Sequence, residues 1–302
     1  MSKPTTTDYL LLFLQGAIWG SSFQAIKFAL EGYGPVSVAA GRIFLGAIII
    51  TIYALMRGHS FPRNPRTIIL LIIVGAFNCA IPFFLISWGE QNLSTGRTAI
   101  FMATGPLLAL GIAHFTTSDE RLSVFKGVGF LMGFIGVLFV IGLETFNIGL
   151  GELMPQMAII CAAFSYAISG AIAKKIENVA SSMFTACVLI SASLMTLPAS
   201  LLIEAPYLLE TTEVIQNSLY AILYLGLVPT ALAFVIRFHL LRKVGYTFVS
   251  QVGYLVPMFG VIFGVIIFEE AITISILAGL ILILAGIAVS RLTNDSFKRK
   301  TL

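Results

Sequence analysis

Charge is what this chain has least of. Of its 302 residues only 11% are Asp, Glu, Lys or Arg, against 58% hydrophobic, and the mean hydropathy is +0.98. A water-soluble domain carries about 25% charged residues, so this chain cannot cover itself with polar surface and lipid has to do the covering. Histidine is scarce as well, and His59, His114 and His239 stand far apart. There is no HExxH, no glycine-rich phosphate loop and no acidic cluster at ligand spacing. The sequence therefore lacks the parts from which a metal site, or a nucleophile with its base, is built. That argues against a membrane-embedded enzyme, and no metal or cofactor is expected. Cys79, Cys161 and Cys187 each lie in an apolar run without a CxxC or a histidine neighbour, and read as free thiols acting as small hydrophobes. No basic stretch with interleaved aromatics offers a nucleic-acid surface, and no ring of charge offers a channel filter.

What is present is long apolar segments. A membrane-spanning helix needs about 20 mostly apolar residues, and ten candidates occur, at 9–30, 35–56, 67–88, 94–115, 123–142, 153–174, 181–203, 216–238, 246–268 and 272–291. The first follows Lys3, is too long for a signal-peptide core and reads as a retained helix. The longest connections are 57–66 (RGHSFPRNPR) and 204–215 (EAPYLLETTEVI). The expected fold is all-α and integral to the membrane, with ten transmembrane helices. Of the 18 Lys and Arg residues, 15 fall in one alternate set of connections and termini, Arg97 alone in the other, and Lys27 and Arg42 within spans. Cytoplasmic loops hold the excess of Lys and Arg, so both termini are expected in the cytoplasm. The net charge of +4 and pI near 9.0 reflect the same bias.

The chain also repeats itself. PLLALGIAHFTTSDERLSVFKGVGFLMGFIG (106–136) reads like PMFGVIFGVIIFEEAITISILAGLILILAG (257–286). Pro106 matches Pro257 at an offset of 151, and Glu120, Gly129 and Gly136 match Glu270, Gly279 and Gly286 at 150. Gly75 and Phe83 match Gly226 and Phe234 at 151; Trp19 and Lys27 match Tyr166 and Lys174 at 147. Two five-helix halves are expected, 1–146 and 147–302. Five is odd, so the second half enters the membrane from the opposite side and the halves are inverted. Inverted repeats with a site near the midplane between them characterise transporters; a duplicated membrane protein of another kind is the alternative.

WGSSFQAIK in the first span, GRIFLGA in the second, and the twice-occurring Pro, acidic, Gly pattern of spans four–five and nine–ten resemble the drug/metabolite transporter superfamily, in its ten-helix EamA-type branch. The resemblance covers nearly the whole chain. It implies a ten-helix bundle of two inverted five-helix repeats that exports amino acids or related metabolites across a bacterial inner membrane. Substrate identity does not carry over; amphipathic drugs or nucleotide-sugar-like metabolites are the alternative cargo.

Polar and aromatic residues near mid-span mark the candidate substrate site: Trp19, Ser22, Asn78, Tyr166, Gln251 and Tyr254, with Thr104, Ser169 and Thr230 ranked lower because such hydroxyls often bond their own backbone. Arg237 and His239 read as interfacial. Helix breaks and gating points are expected at Pro82, Pro106, Pro229 and Pro257, because proline frees a carbonyl four residues back and paired interruptions in corresponding segments point to a transporter's site. Lys27 has three readings. It snorkels to the interface, it draws an anion to an outer vestibule together with Arg42, or it pairs with Glu31 or Glu90. Arg42 alternatively ties helices together. No acidic residue lies at mid-span, so a facilitator or exchanger fits at least as well as a proton-coupled pump; and because only Lys27 and Arg42 could meet a phosphate, a zwitterionic or neutral substrate is expected. Glu120 and Glu270 read as helix-end residues near the N-terminus that follows them. Gly129, Gly133 and Gly136, with Gly279 and Gly286, mark a close helix contact, either internal or a homodimer face.

Overall fold

Prolines and small polar residues set the helix starts. Pro35 and Pro65 occupy the first position of their helices, where a missing N–H costs nothing. Asn64, Ser94 and Thr212 turn side-chain oxygens onto the free N–H groups of Arg66, Arg97 and Ile215. The computed structural model describes residues 4–116, 124–141, 150–249 and 251–290; Glu120 lies outside them. Every regular element in these residues is helical. In chain order they are α1 (Thr6–Gly20), α2 (Ser22–Ala29), α3 (Pro35–Met56), α4 (Pro65–Gly75), a π-helical segment (Ala76–Ala80), α5 (Ile81–Glu90), α6 (Thr95–Met102), α7 (Gly105–Thr116) and α8 (Val124–Ile141). There follow α9 (Leu150–Ala173), α10 (Ser181–Ile203), a 3₁₀ turn (Pro206–Leu208), α11 (Glu213–Leu225), a second π-helical segment (Gly226–Leu232), α12 (Ala233–Lys243), α13 (Tyr246–Val249), α14 (Val252–Phe268) and α15 (Ile274–Ser290).

Among the described residues, six continuous stretches are long and apolar enough to cross a bilayer: Thr6–Ala29, Pro35–Met56, Pro65–Glu90, Leu153–Ala173, Ser181–Ile203 and Glu213–Lys243. Three shorter apolar helices join them, at Gly127–Val140, Val252–Phe268 and Ile274–Val289. Large aliphatic side chains such as Leu202, Ile203, Ile266 and Ile274 stand outward, as a lipid-facing surface requires.

Several long helices are interrupted where polar chemistry collects. α1 gives way to α2 at Ser21, and α6 to α7 at Ala103 and Thr104. The two π-helical segments lie 151 residues apart within the repeat noted above. In each, a freed carbonyl finds a side-chain donor, as backbone in lipid must. Thr230 Oγ1 donates to Leu225 O at 2.8 Å, and Trp19 Nε1 to Pro229 O at 2.9 Å. Ser165 Oγ donates to Phe77 O at 2.7 Å.

α3 lies along α10 and α8 along α15; α1 packs on α14 much as α9 packs on α6 and α7, and α11 packs on α2 much as α9 packs on α5. The glycines of α8 and α15 face one another. A Cβ on Gly286 would stand 2.5 Å from Gly129 O, and one on Gly136 would stand 2.9 Å from Gly279 O. This seam is internal packing.

Candidate functional site

Where α1, α2, α3, the first π-helical segment, α5, α6, α7, α9, the second π-helical segment, α12 and α14 converge they leave a cavity of about 380 Å³. Its wall is mostly apolar and aromatic, and includes Trp19, Phe23, Phe83, Tyr166 and Phe234. Trp19 and Phe234 meet edge to face, centroids 6.0 Å apart. Two cations reach it. The Arg42 guanidinium sits 4.0 Å above the Phe83 ring, and that of Arg237 5.7 Å from the Trp19 ring. Arg42 is 5% exposed; its Nη2 donates to Thr230 Oγ1 at 3.4 Å, and its Nε has no hydrogen-bond partner. Among the described residues, no Asp or Glu is in the wall.

Of the residues expected at a substrate site, Trp19, Ser22, Asn78 and Tyr166 line this cavity, as does Thr230. Asn78 is held by Nδ2 donating to Ser169 Oγ at 2.8 Å, so Ser169 stands behind the wall. Thr104 turns its hydroxyl onto Phe101 O at the α6–α7 break. Gln251 and Tyr254 are displaced from the wall. The chain turns into α14 at Gln251, which leaves that side chain exposed. Val252 and Gly253 then face the cavity, and one more residue carries Tyr254 round into the packed core. Pro106, Pro229 and Pro257 line the cavity, whereas Pro82 is buried at the second position of α5, just past its π-helical segment, and does not. Lys27 is not on the wall either, which separates it from Arg42: its Nζ donates to Glu90 O at 2.9 Å. Arg237, read from sequence as interfacial, reaches the cavity from α12, which follows directly on the second π-helical segment.

A second cavity, of about 330 Å³, shares Asn78, Phe234 and Arg237 with the first and extends to Ala173 and Ser181 at the α9–α10 turn and to Leu241 of α12. The opposite end of the bundle is tied shut. Glu270 accepts from Thr95 N (2.6 Å), Thr95 Oγ1 (2.8 Å) and Gly96 N (2.8 Å), and Gln24 Nε2 donates to Thr95 Oγ1 and to Gly260 O. Glu270 thus caps α6 rather than the helix that follows it, α15. At the same end Glu204 accepts from Val36 N and Ser37 N, capping α3.

These parts match a known family. The model of the EamA-like transporter family fits residues 6–142 and again residues 153–292. The chain belongs to that family, and is a multi-pass membrane protein. It is similar to uncharacterized transporter YoaV of Bacillus subtilis, with 26% identity covering 91% of this chain and 94% of that one. It is also similar to a probable amino-acid metabolite efflux pump of Salmonella typhimurium, with 29% identity covering 94% of each chain, and to uncharacterized inner membrane transporter YedA of Escherichia coli K12, with 24% identity covering 84% of this chain and 80% of that one. One solved crystal structure superposes with a TM-score of 0.68 at 19% identity, covering 95% of this chain and 97% of its own, a likeness of fold alone. The family and these relatives are transporters, which points to a protein that is not an enzyme.

Proposed function

We propose that the chain exports amino acids or similar small metabolites across a bacterial inner membrane, by alternating access through the cavity between two inverted five-helix halves, 1–146 and 147–302. The carrying observation is that the cavity draws its wall from both regions matched by the family model, with Trp19, Arg42 and Asn78 from one and Tyr166, Thr230 and Arg237 from the other. The equivalent packing of α1 on α14 and of α9 on α6 and α7, and the two π-helical segments at one repeat offset, support the duplication. The ten apolar segments support ten spans, and the Lys and Arg bias supports cytoplasmic termini. On that orientation the α9–α10 turn, with Lys174 and Lys175, is cytoplasmic. The second cavity then leads inward, and Glu270, Thr95 and Gln24 close the outer end. The family match and the relative named as an amino-acid metabolite efflux pump support the cargo class. Trp19, Ser22, Asn78 and Tyr166 contact substrate, and the interrupted segments around Pro106, Pro229 and Pro257 supply the movement.

The test is counterflow in proteoliposomes loaded with a panel of amino acids, with and without an imposed pH gradient. Saturable exchange unaffected by the gradient supports a facilitator or exchanger. Accumulation only with the gradient overturns that mode. Exchange of no amino acid overturns amino acids as the cargo and moves it to another metabolite class, amphipathic or nucleotide-sugar-like metabolites among them.

A further inference from the structure

Several of the cavity's own hydrogen-bonding groups are spent on the protein. Trp19 Nε1 is on Pro229 O, the Ser22 hydroxyl on Trp19 O, the Thr230 hydroxyl on Leu225 O, and the Asn78 amide nitrogen on Ser169. The conspicuous exception is Arg42. Its guanidinium is 5% exposed, lies in the wall of a largely apolar cavity and keeps Nε without a partner. Glu90 stands off the cavity wall, and neither of its oxygens accepts a hydrogen bond. A buried guanidinium presents a planar fork of donors that suits a carboxylate, and leaving such a charge unmatched is costly.

A substrate ammonium fares differently here. A buried ammonium is fully matched only by a carboxylate. Among the described residues the wall contains no Asp or Glu. Three carbonyls of the two π-helical regions are taken by Trp19, Thr230 and Ser165. What remains in the wall is neutral, namely Asn78 Oδ1, the Tyr166 hydroxyl and the rings of Phe23, Tyr166 and Phe234, while Arg42 and Arg237, seated on the rings of Phe83 and Trp19, repel a further cation.

We propose that the cavity selects an organic carboxylate with an apolar body and no ammonium group, such as a deaminated or N-blocked relative of an amino acid. Arg42 holds the carboxylate and the aromatic walls hold the body. This rests on reading the cavity as the transport site, and it departs from the zwitterionic or neutral cargo expected from sequence. Arg42 is thereby the residue that sets specificity.

Three phenyl compounds of nearly one shape separate the charges: 3-phenylpropionate (carboxylate only), phenylalanine (both groups) and phenethylamine (ammonium only). Binding is read in detergent from the fluorescence of Trp19 in a Trp88→Phe protein, since these are the only two tryptophans. The expected order has 3-phenylpropionate binding about tenfold or more tighter than phenylalanine, the scale of one unmatched buried charge, and phenethylamine not binding. Arg42→Gln removes the binding of 3-phenylpropionate, and Arg42→Lys restores part of it. If Arg42→Gln does not fold, the order of the three compounds on the Trp88→Phe protein still decides. Phenylalanine binding as tightly as 3-phenylpropionate, or tighter, overturns the proposal and leaves export of amino acids standing. Failure of all three to bind at millimolar concentration also overturns it, while the amino-acid counterflow assay decides the export reading separately.

Discussion

Replacing Glu270 by alanine removes one acceptor group from three donors at once. Thr95 N, Thr95 Oγ1 and Gly96 N all point at its carboxylate within 2.6–2.8 Å, and both residues are buried at the start of α6. A hydrogen bond to a charged group contributes about 1.5–3 kcal/mol. The three are not additive, because they share one carboxylate and Gln24 still engages the Thr95 hydroxyl. The loss that remains is two buried backbone N–H groups left open, at about 1–3 kcal/mol each, plus the favourable placement of a negative charge at a helix N-terminus. The expected cost is about 3 kcal/mol, a fall in Tm of about 6 °C at this chain size. Glu270→Gln keeps an acceptor without the charge and loses about half as much. Glu269→Ala is the control: its side chain is exposed, and it changes stability by less than about 0.5 kcal/mol. The assay is thermal unfolding of purified protein in one detergent. A Glu270→Ala shift no larger than that of Glu269→Ala would refute the reasoning, since the carboxylate would then not be the cap of α6.

Other expectations follow from single contacts. At the start of α3, a Cβ on Gly34 would collide with the Glu204 carboxylate, so Gly34→Ala and Glu204→Ala both uncap α3. Each costs about 1–2 kcal/mol, and the double variant is no worse than the worse single one in the same thermal assay. Gly286→Ala puts a methyl 2.5 Å from Gly129 O, forcing α8 and α15 apart at about 1–3 kcal/mol; an unchanged Tm would mean the seam is not formed. Trp19→Phe keeps the ring but orphans Pro229 O, costing about 1–2 kcal/mol, and hydrogen exchange should quicken in Gly226–Leu232 before it does in α10.

The helices were legible because apolar length alone marks them: α3 and α10 begin and end where the sequence puts spans 35–56 and 181–203. The interruptions at Ala103–Thr104 and around Pro229 were legible through proline and small residues. The break at Ser21 was not, since no proline or glycine signals it at that residue. Glu270 shows the limit of local rules. A carboxylate near a helix N-terminus can be expected from sequence, but the helix it caps lies 174 residues earlier in the chain, and only packing brings the two together. Arg42 could be located two turns into a span, yet its place over Phe83 and beside Thr230 depends on how α3 meets both π-helical regions. Gln251 and Tyr254 were misjudged by one residue on either side of Val252 and Gly253, because a helix start rotates side chains by amounts that composition does not encode.

The central claim is that cargo passes through the cavity, and Gly253 offers the most direct test of it. It lies on the wall, and a Cβ built there meets no atom within 4 Å. Gly253→Phe should therefore fold with an unchanged Tm while filling the passage. In proteoliposome counterflow with whichever of the amino acids and organic carboxylates the unaltered protein exchanges best, the account predicts that this variant exchanges none of it. Undiminished exchange by a folded Gly253→Phe protein would contradict the account, because the cavity would then not be the route.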